Sequence, residues 1–155
     1  MPAVERVDPD IDLHVPADRR ELRTRAWPVL AVIACGGIAG TLARYGLQRA
    51  WPQAPGGYPW ATFTVNVTGC FLIGVLMVLI SQVWPGRPLV RPFLGVGVLG
   101  GFTTFSTYAL DVQQAVTASA PAIGLLYLAA TLVGALLAVW AGTALTTLTV
   151  RRLRG

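Results

Sequence analysis

The chain has 155 residues, of which 54% are hydrophobic and only 12% are charged, and its mean hydropathy is +0.61. A soluble domain carries roughly 25% charged residues, so the composition excludes an ordinary water-soluble globule and predicts one membrane-embedded domain. The formal net charge is +5 and every basic residue is an arginine, but the arginines lie at the ends of apolar segments, which favours topology signals over nucleic-acid binding.

The N-terminal segment differs from the rest of the chain. It holds six of the seven acids and five arginines, with almost no apolar periodicity. We interpret residues 1–26 as a mobile cytosolic tail and residues 27–155 as the membrane domain. The tail is not a secretory signal, because charged residues precede the apolar run and no short hydrophobic region follows them directly.

Four long apolar stretches follow the tail, at about residues 27–50, 58–84, 89–116 and 121–150. Each exceeds the ~20 residues that a helix needs to cross a bilayer. Because the backbone in lipid must satisfy its own hydrogen bonds, we predict an all-α membrane protein with four transmembrane helices. Tryptophans near the segment ends fit an interfacial aromatic belt and comprise Trp27, Trp51, Trp60 and Trp84.

The arginines predict the orientation of these helices. An even number of spans places both termini and the second connection on one side, and ten of the twelve arginines fall there. Since arginine accumulates on the cytoplasmic side, we expect a multi-pass protein of the plasma membrane with both termini in the cytoplasm.

Polar and small residues occur within the first two stretches. Gly36 and Gly40 are four residues apart, a spacing that favours close helix packing, although glycine is also common in membrane helices generally. Arg44 either extends to the lipid headgroups or raises the anion concentration at a pore mouth. Asn66 lies mid-span and is expensive to bury unpaired, so it either bonds a neighbouring helix or donates to a passing anion.

The third stretch contains the run Leu99-Gly-Gly-Phe-Thr-Thr-Phe-Ser-Thr-Tyr108. Paired glycines beside clustered hydroxyl residues make a poor continuous helix, so we predict a break in mid-membrane. Carbonyls freed by a break can bind a small cation. A kinked but intact helix, with Thr and Ser bonding back to their own backbone, is the alternative. A second glycine pair of the same spacing, Gly97 and Gly101, favours close packing here too.

Other chemistry has little support. Cys35, Cys70 and His14 form no metal-ligand or disulfide pattern, so packing is the expected role of the cysteines. Asp111 is the only acid within a span and lies toward one end, which disfavours proton-coupled transport. No nucleophile–base pair or phosphate loop occurs, so we do not expect an enzyme.

Three segments resemble the Fluc/CrcB fluoride channel family: residues 36–45, 62–69 and 100–107. The resemblance covers about residues 29–150. It implies a fluoride-selective channel subunit that exports fluoride from the cytoplasm by passive flux and confers fluoride resistance. It also implies an antiparallel, dual-topology dimer with two pores along the interface, a third helix broken mid-membrane, and a structural sodium ion at the dimer centre.

The resemblance assigns roles residue by residue. The sodium would be held by the carbonyls of Gly100 and Thr103. The anion path would be lined by Asn66, Phe105, Ser106, Thr107 and Tyr127, with Arg44 in the vestibule.

The chain departs from the family in two ways. Tyr108 stands where the family has a second pore phenylalanine, which changes the polarity and size of that position. The arginine bias is the other departure, because self-paired dual-topology proteins should have little bias. The dimer is therefore formed either with itself or, as we favour, with an oppositely oriented homologous subunit.

Two further functions remain open from the sequence. A small four-helix multidrug-type exporter needs a membrane-embedded glutamate in its first span, and this chain has none. A non-transporting membrane scaffold would use the same polar residues only to join helices.

Overall fold

The computed structural model describes residues 26–54 and 56–154. The predicted tail, apart from Ala26, lies outside these residues. Four helices in the described part are long and apolar enough to cross a membrane: Trp27–Ala50, Trp60–Gln82, Arg91–Thr117 and Pro121–Arg154. The described residues contain no strand, so the prediction of an all-α protein with four membrane-length helices is confirmed.

We number the helical segments in chain order. They are α1 (Trp27–Ala50), α2 (Trp60–Gln82), α3 (Arg91–Leu99), α4 (Gly100–Phe102), α5 (Phe105–Thr117) and α6 (Pro121–Arg154). The third span thus comprises α3, α4 and α5, and α3 has the wider π-helical turn.

Several helix ends differ from the predicted bounds by a few residues, and two of these differences have local reasons. Helix α2 begins at Trp60 rather than Tyr58, because Pro59 precedes it and a residue before proline avoids helical geometry. Helix α6 continues past Val150 to Arg154. The Arg154 guanidinium donates to the Gln82 carbonyl at the end of α2, and arginines near a helix C-terminus are favourable for the helix dipole.

Helix α1 packs on the α3 and α4 segments of the third span, while α6 packs on α2 and on α5. Glycines make both contacts close. A Cβ atom added at Gly36 would lie 2.5 Å from the Phe93 carbonyl oxygen, and one at Gly101 would lie 2.5 Å from the Gly37 carbonyl oxygen. The predicted close packing through these glycines is confirmed.

The helical hydrogen-bond pattern is interrupted after α4. Thr103 has φ −76° and ψ 159°, and Thr104 has φ −152° and ψ 125°, so both residues are extended. Helix α5 then starts at Phe105, capped by the Thr104 side chain, which accepts a hydrogen bond from the Thr107 amide. The Thr103 hydroxyl donates back to the Leu99 carbonyl at 2.9 Å.

Candidate functional site

The Asn66 side chain on α2 forms hydrogen bonds with Thr104, a non-helical residue between α4 and α5. Its Nδ2 donates to the Thr104 carbonyl at 3.0 Å, and its Oδ1 accepts from the Thr104 amide at 2.9 Å. One side chain therefore satisfies both polar groups of a residue that lies outside a helix. A carboxamide has two N–H donors, so one remains beyond the contact with Thr104.

Hydroxyl groups cluster at the start of α5. The Thr104 Oγ1 accepts from the Thr107 amide at 3.2 Å, donates to the Thr107 Oγ1 at 3.1 Å, and lies 3.3 Å from the Ser106 Oγ. The structure thus brings the predicted Ser106 and Thr107 together through Thr104, a residue that the sequence analysis did not assign. The preference of threonine for the position before a helix is the signal that points to it.

Backbone carbonyls before the interruption, among them those of Gly100 and Thr103, lose their usual helical donors. In a continuous helix the Gly100 and Thr103 carbonyls would accept from the amides of residues 104 and 107. Those amides instead donate to the Asn66 Oδ1 and the Thr104 Oγ1. Freed carbonyl oxygens suit a small hard cation such as sodium. Among the described residues no group of three or more His, Cys, Asp or Glu is placed to hold a metal ion.

A cavity of about 320 Å³ lies beside the interruption. Its walls come from α2, the interruption, α5 and α6, and the lining residues are Asn66, Cys70, Thr103, Thr104, Phe105, Tyr108, Thr131, Leu132 and Ala135. Phe105 is 80% exposed although it lies beside this cavity. A large apolar side chain left open in this way marks a surface that another molecule or lipid covers.

Thr131 is a cavity residue that the sequence analysis missed. It is 6% exposed, and within the described part of the chain its Oγ1 has no hydrogen-bond partner. Thr143, Thr146 and Thr149 on the same helix all bond back to the carbonyl four residues earlier. Unlike those three hydroxyls, the Thr131 hydroxyl is a buried polar group in the cavity wall that does not bond to its own helix.

Tyr108 spans from the cavity to α6. Its hydroxyl donates to the Leu128 carbonyl at 3.0 Å, while its ring centroid lies 5.8 Å from that of Phe105 and 5.2 Å from that of Tyr127. The hydroxyl that distinguishes this residue from phenylalanine is therefore engaged with a neighbouring helix.

Four of the predicted anion-path residues, Arg44, Ser106, Thr107 and Tyr127, do not line the cavity in the single chain. Tyr127 is fully buried behind Tyr108, and its hydroxyl donates to the Asp111 Oδ2 at 3.4 Å. Asp111 is itself only 6% exposed. Arg44 lies half-buried on α1, a helix that contributes no residue to the cavity lining.

Comparison with known proteins adds a family and named relatives. The family model described as CrcB-like protein, Camphor Resistance (CrcB), matches residues 31–143. A Streptomyces avermitilis protein named fluoride-specific ion channel FluC 2 is 56% identical over 125 residues, which cover 81% of this chain and 79% of that protein. FluC 1 of Streptomyces coelicolor is 56% identical over 118 residues, or 76% of each chain. A further Streptomyces avermitilis protein, FluC 3, is 48% identical over 86 residues, which cover 56% of this chain and 42% of that one.

Proposed function

Because the chain belongs to the CrcB family, we propose that it is a subunit of a fluoride-selective channel that lets fluoride leave the cytoplasm by passive flux. The names of the relatives identify fluoride as the ion. The observation that carries the proposal in this chain is the cavity where an amide, hydroxyls and an exposed aromatic ring meet beside an interrupted helix.

The donors at this cavity suit a small, strongly hydrated anion. Removing water from fluoride is unfavourable unless close donors replace it. The second N–H of Asn66 and the positive edge of the Phe105 ring are donors of this kind in the cavity wall. The hydroxyls of Ser106 and Thr107, which lie behind Thr104 in that wall, are the further donors in this proposal. Several weak sites in series allow the ion to leave as well as to enter. Arg44 would raise the anion concentration in a vestibule. Tyr127 would support the Tyr108 ring, against which it packs.

A second subunit completes the site in this proposal. Phe105 is 80% exposed and the cavity is open along one side, as expected if an antiparallel partner covers that face. The interruption at Thr103 and Thr104 then lies near the middle of the bilayer. Backbone outside a helix is tolerated at that depth only where protein or water surrounds it.

A sodium ion at the dimer centre fits the freed carbonyls of Gly100 and Thr103. When bound, the ion supplies positive charge that offsets the partial negative charge of those oxygens. Asn66 and the Thr104 side chain contribute by holding away the amides that would otherwise occupy the two carbonyls.

The arginine bias favours a partner of different sequence. A chain fixed in one orientation cannot form an antiparallel dimer with itself, so a homologous subunit of opposite orientation is required. Relatives numbered 2 and 3 from one organism are consistent with paired paralogues.

The test is fluoride efflux from liposomes, measured with a fluoride electrode. We expect little flux from the chain alone and robust flux when it is reconstituted with an oppositely oriented homologue, with chloride efflux at background in both. No fluoride flux from either preparation would overturn the channel proposal. Robust flux from the chain alone would overturn only the unlike partner.

A further inference from the structure

A continuous series of aromatic rings leads from the cavity to the loop between α1 and α2. It runs through Phe105, Tyr108, Tyr127 and Tyr58, with ring centroids 5.8, 5.2 and 5.4 Å apart in that order. The first three rings belong to positions already placed in the proposed path. Tyr58, at the loop end of the series, has no role in that proposal.

The position of Tyr58 is well determined by its surroundings. It immediately precedes Pro59, whose side chain is fully buried at the start of α2. Its ring packs 4.5 Å from Trp60 and 5.7 Å from Phe63. Burial raises the pKa of the Tyr58 phenol above its ordinary value, so the side chain is neutral at physiological pH and adds no charge near an anion.

Tyr58 makes its inward contact with Tyr127. The two rings meet edge to face, with an interplanar angle of 87°, which is a favourable arrangement for an aromatic pair. Tyr127 is 0% exposed, so protein atoms surround its ring, and its hydroxyl donates a hydrogen bond to Asp111. Removing the Tyr58 ring would open a void against Tyr127, and a buried ring beside a void is free to shift.

We propose that Tyr58 is a positioning residue of the anion path: its ring holds Tyr127, which in turn supports the Tyr108 ring at the cavity. The ring performs this role and the hydroxyl does not, because the contact with Tyr127 is between the rings. This inference rests on the proposed channel function. It adds a residue of the loop, outside the membrane spans, to those that determine conduction.

The test compares flux through variants in whichever assembly conducts fluoride. Tyr58→Leu should lower fluoride efflux by about fivefold, the scale set by the loss of one edge-to-face aromatic pair. Tyr58→Phe, which keeps the ring, should restore flux. Trp51→Leu is the matched control, since Trp51 is an aromatic residue of the same loop that makes none of the observed ring contacts in the described structure; its flux should be unchanged.

A double-mutant cycle separates positioning from general stabilisation. If Tyr58 acts through Tyr127, the effect of Tyr58→Leu on flux should largely disappear in a Tyr127→Leu background. An equal loss in both backgrounds, normal flux of Tyr58→Leu, or failure of Tyr58→Phe to restore flux would each overturn the inference. Tyr58→Met replaces Tyr58→Leu if the latter does not assemble. Absence of flux from the unmodified assembly would instead overturn the channel proposal.

Discussion

At the scale of single residues, Tyr108 shows how an added hydroxyl can form a hydrogen bond within the fold. The oxygen reaches the Leu128 carbonyl on α6 at 3.0 Å, while the ring stays at the cavity. Tyr108→Phe should lower the free energy of unfolding by about 1 kcal/mol, the net contribution of one hydrogen bond. Flux should change little because the ring remains. Thermal unfolding in detergent and liposome efflux measure the two quantities; loss of flux with unchanged stability would indicate that the hydroxyl faces the anion instead.

Phe105 distinguishes a channel from a scaffold more cleanly than Asn66 does. Asn66 holds the Thr104 backbone, so its removal would disturb structure under either function. Phe105 is 80% exposed in the single chain and Leu153, at the end of α6, is 81% exposed. Phe105→Ala should reduce efflux by about tenfold with assembly intact, the factor that corresponds to the loss of about 1.4 kcal/mol of aromatic contact, while Leu153→Ala keeps normal flux. A scaffold would lose assembly with Phe105→Ala, as size-exclusion chromatography would detect.

At the scale of helices, the sequence predicted the four membrane-length helices correctly, but it did not predict their local geometry in full. The first helix has the predicted bounds, Trp27–Ala50, because tryptophans and charged residues delimit its apolar run. The π-helical turn of α3 was not predicted. It contains Gly97, which lies close to Gly36 of α1, a tertiary contact that the local sequence does not reveal.

The same limit applies to the candidate site. Asn66, Thr103, Phe105 and Tyr108 line one cavity. Polarity within an apolar segment selected Asn66, whereas the roles of the other three came from the family resemblance. Thr104 was missed, because its importance comes from Asn66, 38 residues away in sequence. Thr131 was missed for a similar reason: three of the other four threonines on α6 bond to their own helix, and only the structure distinguishes Thr131 from these three.

Glycine substitutions on α1 test the helix pairing. A Cβ atom at Gly40 would overlap the Val98 carbonyl oxygen and lie 2.8 Å from the Phe102 amide nitrogen, whereas one at Gly46 meets nothing within 4 Å. Gly40→Ala should therefore separate α1 from the third span and destabilise the protein by about 1–3 kcal/mol. Gly46→Ala should be neutral or slightly stabilising, since alanine favours the helix. Equal melting temperatures of the two variants would contradict the observed packing.

At the scale of the whole molecule, the proposed dimer depends on how each subunit is inserted. Ten arginines on one side against two on the other predict a single orientation. A cysteine at the C-terminus reports that orientation: Gly155→Cys is made in a background of Cys35→Ala and Cys70→Ala, which removes the native thiols. In intact cells a membrane-impermeant maleimide should leave this cysteine unlabelled, and lysis should permit full labelling.

Labelling of about half the molecules in intact cells would demonstrate both orientations and make self-pairing possible. A single orientation makes it impossible, because an antiparallel two-fold dimer needs one subunit inserted each way. In that case the proposed dimer would need a different chain to cover the open side of the cavity beside Phe105. Orientation, rather than any contact within the subunit, then decides whether this chain conducts by itself.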